Sequence, residues 1–176
     1  MKTLELLLRN HLGRDVRSLI LPELNKSDIY IIKRALFPSD KKIRNIIPMD
    51  NASKNGYLEL IKWLRSYDSP WDESICSYAA LNGHFETLKW LRENGCLWHN
   101  LICCYAARNG HLEMLQWLHA NGAPIDELTC ANAAYEGHLD ILKWLREKQC
   151  PWDKKTTEYV KNLDVLKWLQ ENGCPE

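Results

Sequence analysis

The sequence has no surplus of either charge and no long apolar run. Its 23 Lys and Arg residues balance 23 Asp and Glu residues, whereas a protein that binds nucleic acid by neutralising phosphates needs a basic surplus. No stretch approaches the roughly 18 apolar residues of a membrane-spanning helix. Charged residues interrupt the short apolar patch near the amino terminus, so we expect no secretory signal peptide. The composition therefore argues against nucleic acid and against a membrane as partners.

Motifs of catalysis and metal binding are missing as well. The sequence contains no phosphate-binding loop, nucleophile elbow, HExxH motif or paired-carboxylate pattern. Its seven cysteines are an odd number without a CxxC spacing, which favours reduced thiols over a disulfide framework. We therefore expect a cytoplasmic protein that is not an enzyme and needs no cofactor or metal.

What the sequence does contain is a repeat of 27 residues. Two residue types keep this interval most clearly: Trp63, Trp90, Trp117 and Trp144, and Gly56, Gly83, Gly110 and Gly137. Residue types that share one period indicate an array of structural repeats. We predict units at 43–69, 70–96, 97–123, 124–150 and 151–174, the last of them shortened by three residues.

Each unit is predicted to form two helices joined by a turn that contains glycine. Carboxylates stand where they can cap the first helix, at Asp72, Asp126 and Asp153. In the second helix, leucines such as Leu88 and Leu91 recur at helical spacing. Glycines follow that helix as carboxyl-terminal caps, at Gly95, Gly122 and Gly173. Helices this short bury their apolar stripe only against neighbouring units, which predicts a stack.

The stretches AALNGHFETLKWLRENG and AARNGHLEMLQWLHANGA resemble ankyrin repeats in their Ala-Ala pair, Gly-His pair and closing glycine. The resemblance covers residues 43–174 and implies an all-α, ankyrin-type solenoid of stacked helix-turn-helix repeats with a helical amino-terminal cap. A usual ankyrin unit has about 33 residues and carries a β-hairpin finger. Here the first-helix residues follow almost directly after Trp98, Ile125 and Trp152, so we expect the finger to be missing. This finger-poor unit resembles the ankyrin proteins of giant viruses.

Residues 1–42 do not follow the period, and two interpretations stay open. A stack of repeats needs a polar-faced cap at its end, and helices in this segment would supply one. Alternatively, Asp15-Val16, Leu19-Ile20, Leu24 and Ser27-Asp28-Ile29 resemble an F-box, although Leu12-Gly13 replaces its opening Leu-Pro. An F-box would imply a Skp1-like partner that binds residues 13–36.

The repeated histidines are interpreted as structural. His84, His111 and His138 are one unit apart, and neighbouring helices pack 8–10 Å apart. Zinc holds its nitrogen ligands at about 2.0–2.1 Å, so equivalent histidines are too far apart to share an ion. We expect half-buried imidazoles that hydrogen-bond to backbone at the turn between the helices.

Most cysteines and tryptophans are also assigned to packing. Cys104 alone lies outside the cysteine register, and we expect it to be exposed. Tryptophans of the second helix, such as Trp90, stand where a core leucine is usual and are expected to be buried. The tryptophans between units are expected to be partly exposed in the space left by the finger: Trp71, Trp98 and Trp152.

The predicted function is a monomeric, non-enzymatic module that binds a protein partner on its repeat surface. The stack fixes the core positions and leaves one side of each first helix free to vary. Tyrosine recurs there, and tyrosine is enriched at interfaces. The candidate surface consists of Glu73, Ser77, Tyr78, Leu81, Asn100, Cys104, Tyr105, Arg108, Glu127, Ala131, Asn132 and Tyr135.

Overall fold

The computed structural model describes residues 49–66, 69–158 and 160–175. Within those ranges every regular element is an α-helix, and no strand or hairpin finger lies between the repeats. The prediction of an all-α architecture is therefore confirmed. The predicted cap or F-box-like segment at 1–42 lies outside the described residues. The chain divides into two compact units, residues 1–71 and 72–176, which are considered separately.

The first unit contains one helical hairpin in its described part. Helix α1 (Met49–Lys54) packs against helix α2 (Leu58–Ser66). The hairpin buries five apolar residues, namely Met49, Ala52, Leu60, Ile61 and Leu64. In the last turn of α2, the Arg65 guanidinium lies 4.3 Å from the centre of the ring of Trp71, which follows the helix. This cation–π contact secures the chain that leaves the hairpin.

Four helical pairs make up the described part of the second unit. Each pair has a first and a second helix: α3 (Ser74–Leu81) with α4 (Phe85–Glu93), α5 (Ile102–Arg108) with α6 (Leu112–Ala120), α7 (Glu127–Glu136) with α8 (Leu139–Glu147), and α9 (Lys155–Glu158) with α10 (Leu163–Glu171). The first helices pack side by side, α3 on α5, α5 on α7 and α7 on α9. In the first three pairs, the first helix also packs on its own second helix.

Small side chains let the first helices approach closely, and leucines of the second helices fill the layer behind them. The first helices bury their alanine pairs completely: Ala79 and Ala80, Ala106 and Ala107, Ala133 and Ala134. The second helices bury leucines three residues apart: Leu88 and Leu91, Leu115 and Leu118, Leu142 and Leu145. Residues at this spacing share one helix face. Complete burial of a leucine contributes about 1.5–3 kcal/mol, so these leucines contribute strongly to the stability of the first three pairs.

Asparagine side chains and left-handed residues end the helices. The Asn121 side-chain amide donates to the Trp117 carbonyl at 2.8 Å, and the Asn121 N–H donates to the same carbonyl at 3.0 Å. Equivalent side-chain bonds are made by Asn82, Asn94, Asn109 and Asn172. Gly122 follows with φ of +85°. In the next repeat the equivalent position is Gln149, with φ of +57°. It is the one non-glycine residue with positive φ among the described residues.

Of the three predicted aspartate caps, Asp126 forms a complete capping box, whereas Asp72 and Asp153 each accept from one N–H at the start of the helix. Asp126 accepts a hydrogen bond from the Thr129 N–H at 3.0 Å, and the Thr129 hydroxyl accepts from the Asp126 N–H at 3.3 Å, which makes a capping box. Asp72 accepts from the Ser74 N–H at 2.8 Å. Hydrogen bonds from Ser74 lower the pKa of Asp72, because they stabilise its charged form.

Candidate partner-binding surface

The first helices of the second unit carry the residues predicted to bind a partner. Five of them are exposed: Glu73, Asn100, Arg108, Glu127 and Tyr135. Six are half-buried: Ser77, Tyr78, Leu81, Tyr105, Ala131 and Asn132. Glu73 and Asn100 lie just before α3 and α5, and the other residues lie on α3, α5 and α7, three helices that pack side by side. They are therefore available, at least in part, to a partner on this side of the stack.

Cys104 is the exception, because it is buried rather than exposed. Only 4% of the residue is accessible, and its Sγ lies 3.5 Å from Thr129 Oγ1 and 3.7 Å from Asp126 Oδ1. Cys104 thus faces the next repeat, and burial raises its pKa to about 11. The expectation of an exposed Cys104 is wrong. Cys104 does not occupy a core position of its own repeat, but the next repeat covers the side of α5 on which it lies.

The tyrosines of this surface differ in exposure. Tyr135 is 40% exposed, whereas Tyr78 and Tyr105 are half-buried. The Lys161 amino group lies 4.8 Å from the centre of the Tyr135 ring and donates to its hydroxyl at 3.4 Å. Tyr135 therefore offers both an apolar ring and a polarised hydroxyl to a partner. The tyrosine that recurs in the first-helix segment of the last repeat, Tyr159, lies outside the described residues.

Some polar groups of the surface already have partners within the chain. Arg108 pairs with Glu136 of the next repeat, with Nε 3.2 Å from Oε1. The Asn132 amide donates to the Leu128 carbonyl at 2.8 Å. The ion pair is exposed on both sides, and exposed pairs typically contribute only about 0–1 kcal/mol. Arg108 and Glu136 can consequently re-pair with a partner at small cost.

A groove of about 230 Å³ lies between α7 and the chain around α9. Helix α7 contributes Leu128, Ala131, Asn132 and Tyr135, and the opposite wall consists of Lys155, Thr156 and Val160. Leu128 is 45% exposed although it is a large apolar residue. Lys155 forms no ion pair within the part of the chain that the structure describes. The groove thus combines an apolar floor with an available positive charge at its edge.

Four residues of this groove were not among the residues predicted to form the partner-binding surface. Leu128 lies three and four residues before Ala131 and Asn132 on α7, so helical spacing alone places it on their face. Helical spacing could therefore have identified Leu128 as part of this surface. Lys155, Thr156 and Val160 belong to the shortened last unit, in which the 27-residue register no longer marks equivalent positions.

His111 and His138 each lie against the turn of the preceding repeat. A Cβ added to Gly110 would lie 2.8 Å from His138 Cε1, and one added to Gly83 would lie 2.6 Å from His111 Cε1. His138 Nε2 lies 3.0 Å from the Arg108 carbonyl oxygen. The prediction of half-buried imidazoles that hydrogen-bond to backbone is confirmed for His138. The bonded backbone belongs to the preceding repeat.

The environment of His111 disfavours its charged form. Burial lowers the pKa of His111, and the neighbouring imidazoles of His138 and His84 lower it further, while a backbone hydrogen bond with Leu81 opposes them. Neutral imidazole is the form that fits between stacked turns, because an unpaired charge is costly to bury.

The tryptophans form edge-to-face contacts along the stack. Trp98 packs on Trp117 of the next second helix, with ring centres 6.0 Å apart, and Trp152 packs on Trp168 at 6.2 Å. Arg92 lies over Trp98 at 4.0 Å. The tryptophans between repeats are half-buried as expected. The expectation that those of the second helix are buried is wrong: Trp90, Trp117, Trp144 and Trp168 are half-buried.

Ankyrin repeats account for much of the chain in comparisons with known proteins. A family model described as ankyrin repeats (many copies) matches residues 49–92 and 103–146, which together are half of the 176 residues. A search of curated proteins found no match. Among the described residues, no three His, Cys, Asp or Glu side chains are grouped so as to hold a metal ion. No described helix is long and apolar enough to cross a membrane.

Proposed function

We propose that this chain, which belongs to the ankyrin-repeat family, binds a protein partner through the first-helix surface of residues 72–176. Ankyrin repeats are modules of protein–protein interaction, and the family is typically a non-enzymatic scaffold. The observation that carries the proposal is the groove between α7 and α9, where Leu128 and Tyr135 are 45% and 40% exposed.

The character of the groove favours a polypeptide over other ligands. Its shallow walls and exposed apolar side chains suit a partner's side chain, since interface centres are apolar and rich in tyrosine. The chain has no net charge, which disfavours nucleic acid. Half-buried Tyr78 of α3, half-buried Tyr105 of α5 and exposed Arg108 of α5 extend the same surface, so a partner can contact several repeats at once.

A comparison of two leucine variants tests this proposal. Leu128→Lys places a charge at the groove, whereas Leu97→Lys changes a leucine that is 70% exposed and does not line the groove. Both tagged variants and the unaltered chain are used for affinity capture from host-cell extract, followed by mass spectrometry. We expect a partner that the unaltered chain and Leu97→Lys retain and Leu128→Lys loses. Equal capture by both variants, with helical content unchanged by circular dichroism, would contradict binding at the groove.

A second candidate function is that of a substrate adaptor in a Skp1-type ubiquitin ligase. It rests on the F-box-like spacing within residues 13–36, which lie outside the described residues. The repeats would then select the substrate, and a viral protein of this kind would select host proteins. A pull-down of the intact chain with a purified Skp1-like protein tests the adaptor. Absence of binding would rule it out and leave the repeat-surface proposal standing.

A further inference from the structure

Two buried thiols face each other within the repeat at 70–96. Cys76 lies near the start of α3, and Cys96 follows the glycine that ends α4, 20 residues later. Their sulfurs are 2.9 Å apart, and both residues are free thiols. A disulfide bond is about 2.05 Å long, so a movement of less than about 1 Å by the sulfurs would bring them to bonding distance.

The same pair recurs two repeats later and is incomplete in the repeat between them. Cys130 and Cys150 each lie 54 residues after their counterparts, and both are buried. The Cys150 thiol donates to the Asp126 carbonyl at 3.3 Å, as the Cys96 thiol does to the Asp72 carbonyl at 3.5 Å. In the intervening repeat Cys103 keeps the first position, but Ala123 occupies the second. Both Cys103 and Ala123 are buried like their counterparts. The chain thus carries two dithiols and one matched site that has a single thiol.

The contacts of the first pair distinguish its two sulfurs. The Cys76 thiol donates to Cys96 Sγ at 2.9 Å, and the Cys96 thiol donates to the Asp72 carbonyl at 3.5 Å. The hydrogen bond from Cys76 lowers the pKa of Cys96, and the same contact raises the pKa of Cys76. Cys96 is therefore the sulfur at which the thiolate, the reactive form of cysteine, is stabilised.

Cys96 also lies close to the protein surface in sequence and in space. It is buried itself, but it stands between exposed Gly95 and Leu97, and Leu97 is 70% exposed. The Cys96 N–H donates to the Leu91 carbonyl at 3.0 Å, so this backbone hydrogen bond must break for the turn to open and expose Cys96. A molecule of the size of hydrogen peroxide needs little more room than a water molecule.

We propose that Cys76–Cys96 and Cys130–Cys150 are oxidation sites at which hydrogen peroxide forms one disulfide within each repeat. The Cys96 thiolate attacks one peroxide oxygen, the O–O bond breaks, and the leaving hydroxide takes up a proton to become water. The Cys76 thiol then attacks the sulfenic acid of Cys96, and a second water leaves as the S–S bond forms. Two thiols and one peroxide give one disulfide and two waters.

Each disulfide joins the beginning of a first helix to the end of the second helix in the same repeat. It closes a loop of 20 residues and restricts the unfolded chain more than the folded one. Neither disulfide links different repeats. Thiol counting and disulfide mapping need no partner, so this test does not depend on the proposed function.

The test measures thiols and maps disulfides in the intact, folded chain. After exposure to hydrogen peroxide, the remaining thiols are alkylated and counted by mass spectrometry under non-reducing conditions. We expect the seven free thiols to fall to three, with peptides linked through Cys76–Cys96 and Cys130–Cys150, and a thiol reductant to restore seven. Unlinked sulfinic or sulfonic acids at these cysteines, other pairings, or oxidation only in urea would overturn the proposal.

Two variants exploit the incomplete repeat as an internal control. Cys96→Ala reproduces the arrangement that the next repeat already has at Cys103 and Ala123, so it is compatible with folding. It should abolish one disulfide and leave Cys130–Cys150 unaffected. Conversely, Ala123→Cys should create a third dithiol with Cys103 and reduce the thiols of the oxidised variant to two out of eight. Failure of the third pair to form in a variant that folds would contradict the geometric argument.

Discussion

Replacing Gly110 with alanine tests how one repeat is held to the next. Gly110 has a φ of +76°, and an added Cβ would lie 2.8 Å from His138 Cε1. The left-handed backbone costs an alanine about 1–2 kcal/mol. The imidazole must also move away from the Arg108 carbonyl, which it meets at 3.0 Å, and a lost hydrogen bond costs about 1 kcal/mol. We therefore expect a total loss of about 2–3 kcal/mol in the free energy of unfolding.

Gly122 and His138 provide the controls for this experiment. Gly122 has a φ of +85°, and an added Cβ would meet no atom within 4 Å, so Gly122→Ala should cost only the backbone part, about 1–2 kcal/mol. Urea unfolding followed by circular dichroism measures both. In the double variant Gly110→Ala, His138→Ala the two losses should not add, because the steric conflict is gone. Equal losses for Gly110→Ala and Gly122→Ala, or additive losses in the double variant, would refute the interlock.

Three further predictions follow from single residues. Gln149→Gly should raise the free energy of unfolding by about 1 kcal/mol, because φ is +57° there; a urea midpoint that does not rise would contradict a left-handed conformation. Asp126→Ala should lower it by about 0.5–2 kcal/mol through loss of the capping box, and an unchanged midpoint would show that the cap is not needed. The lowered pKa of His111 means that the unfolded chain binds the proton more readily, so stability should fall as the pH drops below about 6.5. His111→Gln should lose less stability than the unaltered chain between about pH 7 and pH 5, and an identical pH profile would contradict this assignment.

The period of the sequence was sufficient to predict the helical pairs and their stacking. Glycine, leucine and alanine recur because each repeat packs its two helices in the same way. Leu88 and Ala79 could therefore be assigned to the core from spacing alone. Histidine at the turn was assigned correctly to backbone hydrogen bonding, but spacing within one unit could not reveal that its acceptor lies in the preceding unit. The same limitation explains the error at Cys104, whose burial depends on Thr129 of the following repeat.

The groove could not be predicted from the period because it arises where the period fails. Helix α9 has only four residues, whereas α7 has ten, so Val160 from beyond the end of α9 lies on the wall of the groove opposite α7. Spacing within α7 predicts one wall, and only the three-dimensional arrangement supplies the other. For this reason Lys155 and Val160 were absent from the predicted surface.

The link between repeats also changes at this junction. Gly83 and Gly110 are each covered by a histidine of the next repeat, but Gly137 faces Asn162, whose Nδ2 would lie 3.5 Å from an added Cβ. Asn162 instead caps its own helix, accepting from the N–H groups of Asp164 and Val165 at 2.9 and 3.3 Å. Among the described pairs of the second unit, the groove therefore opens at the junction without a Gly–His contact. Two changes in the last repeat thus meet at this junction: Asn162 stands where the preceding repeat has His138, and the first helix is only four residues long, which leaves space beside Tyr135.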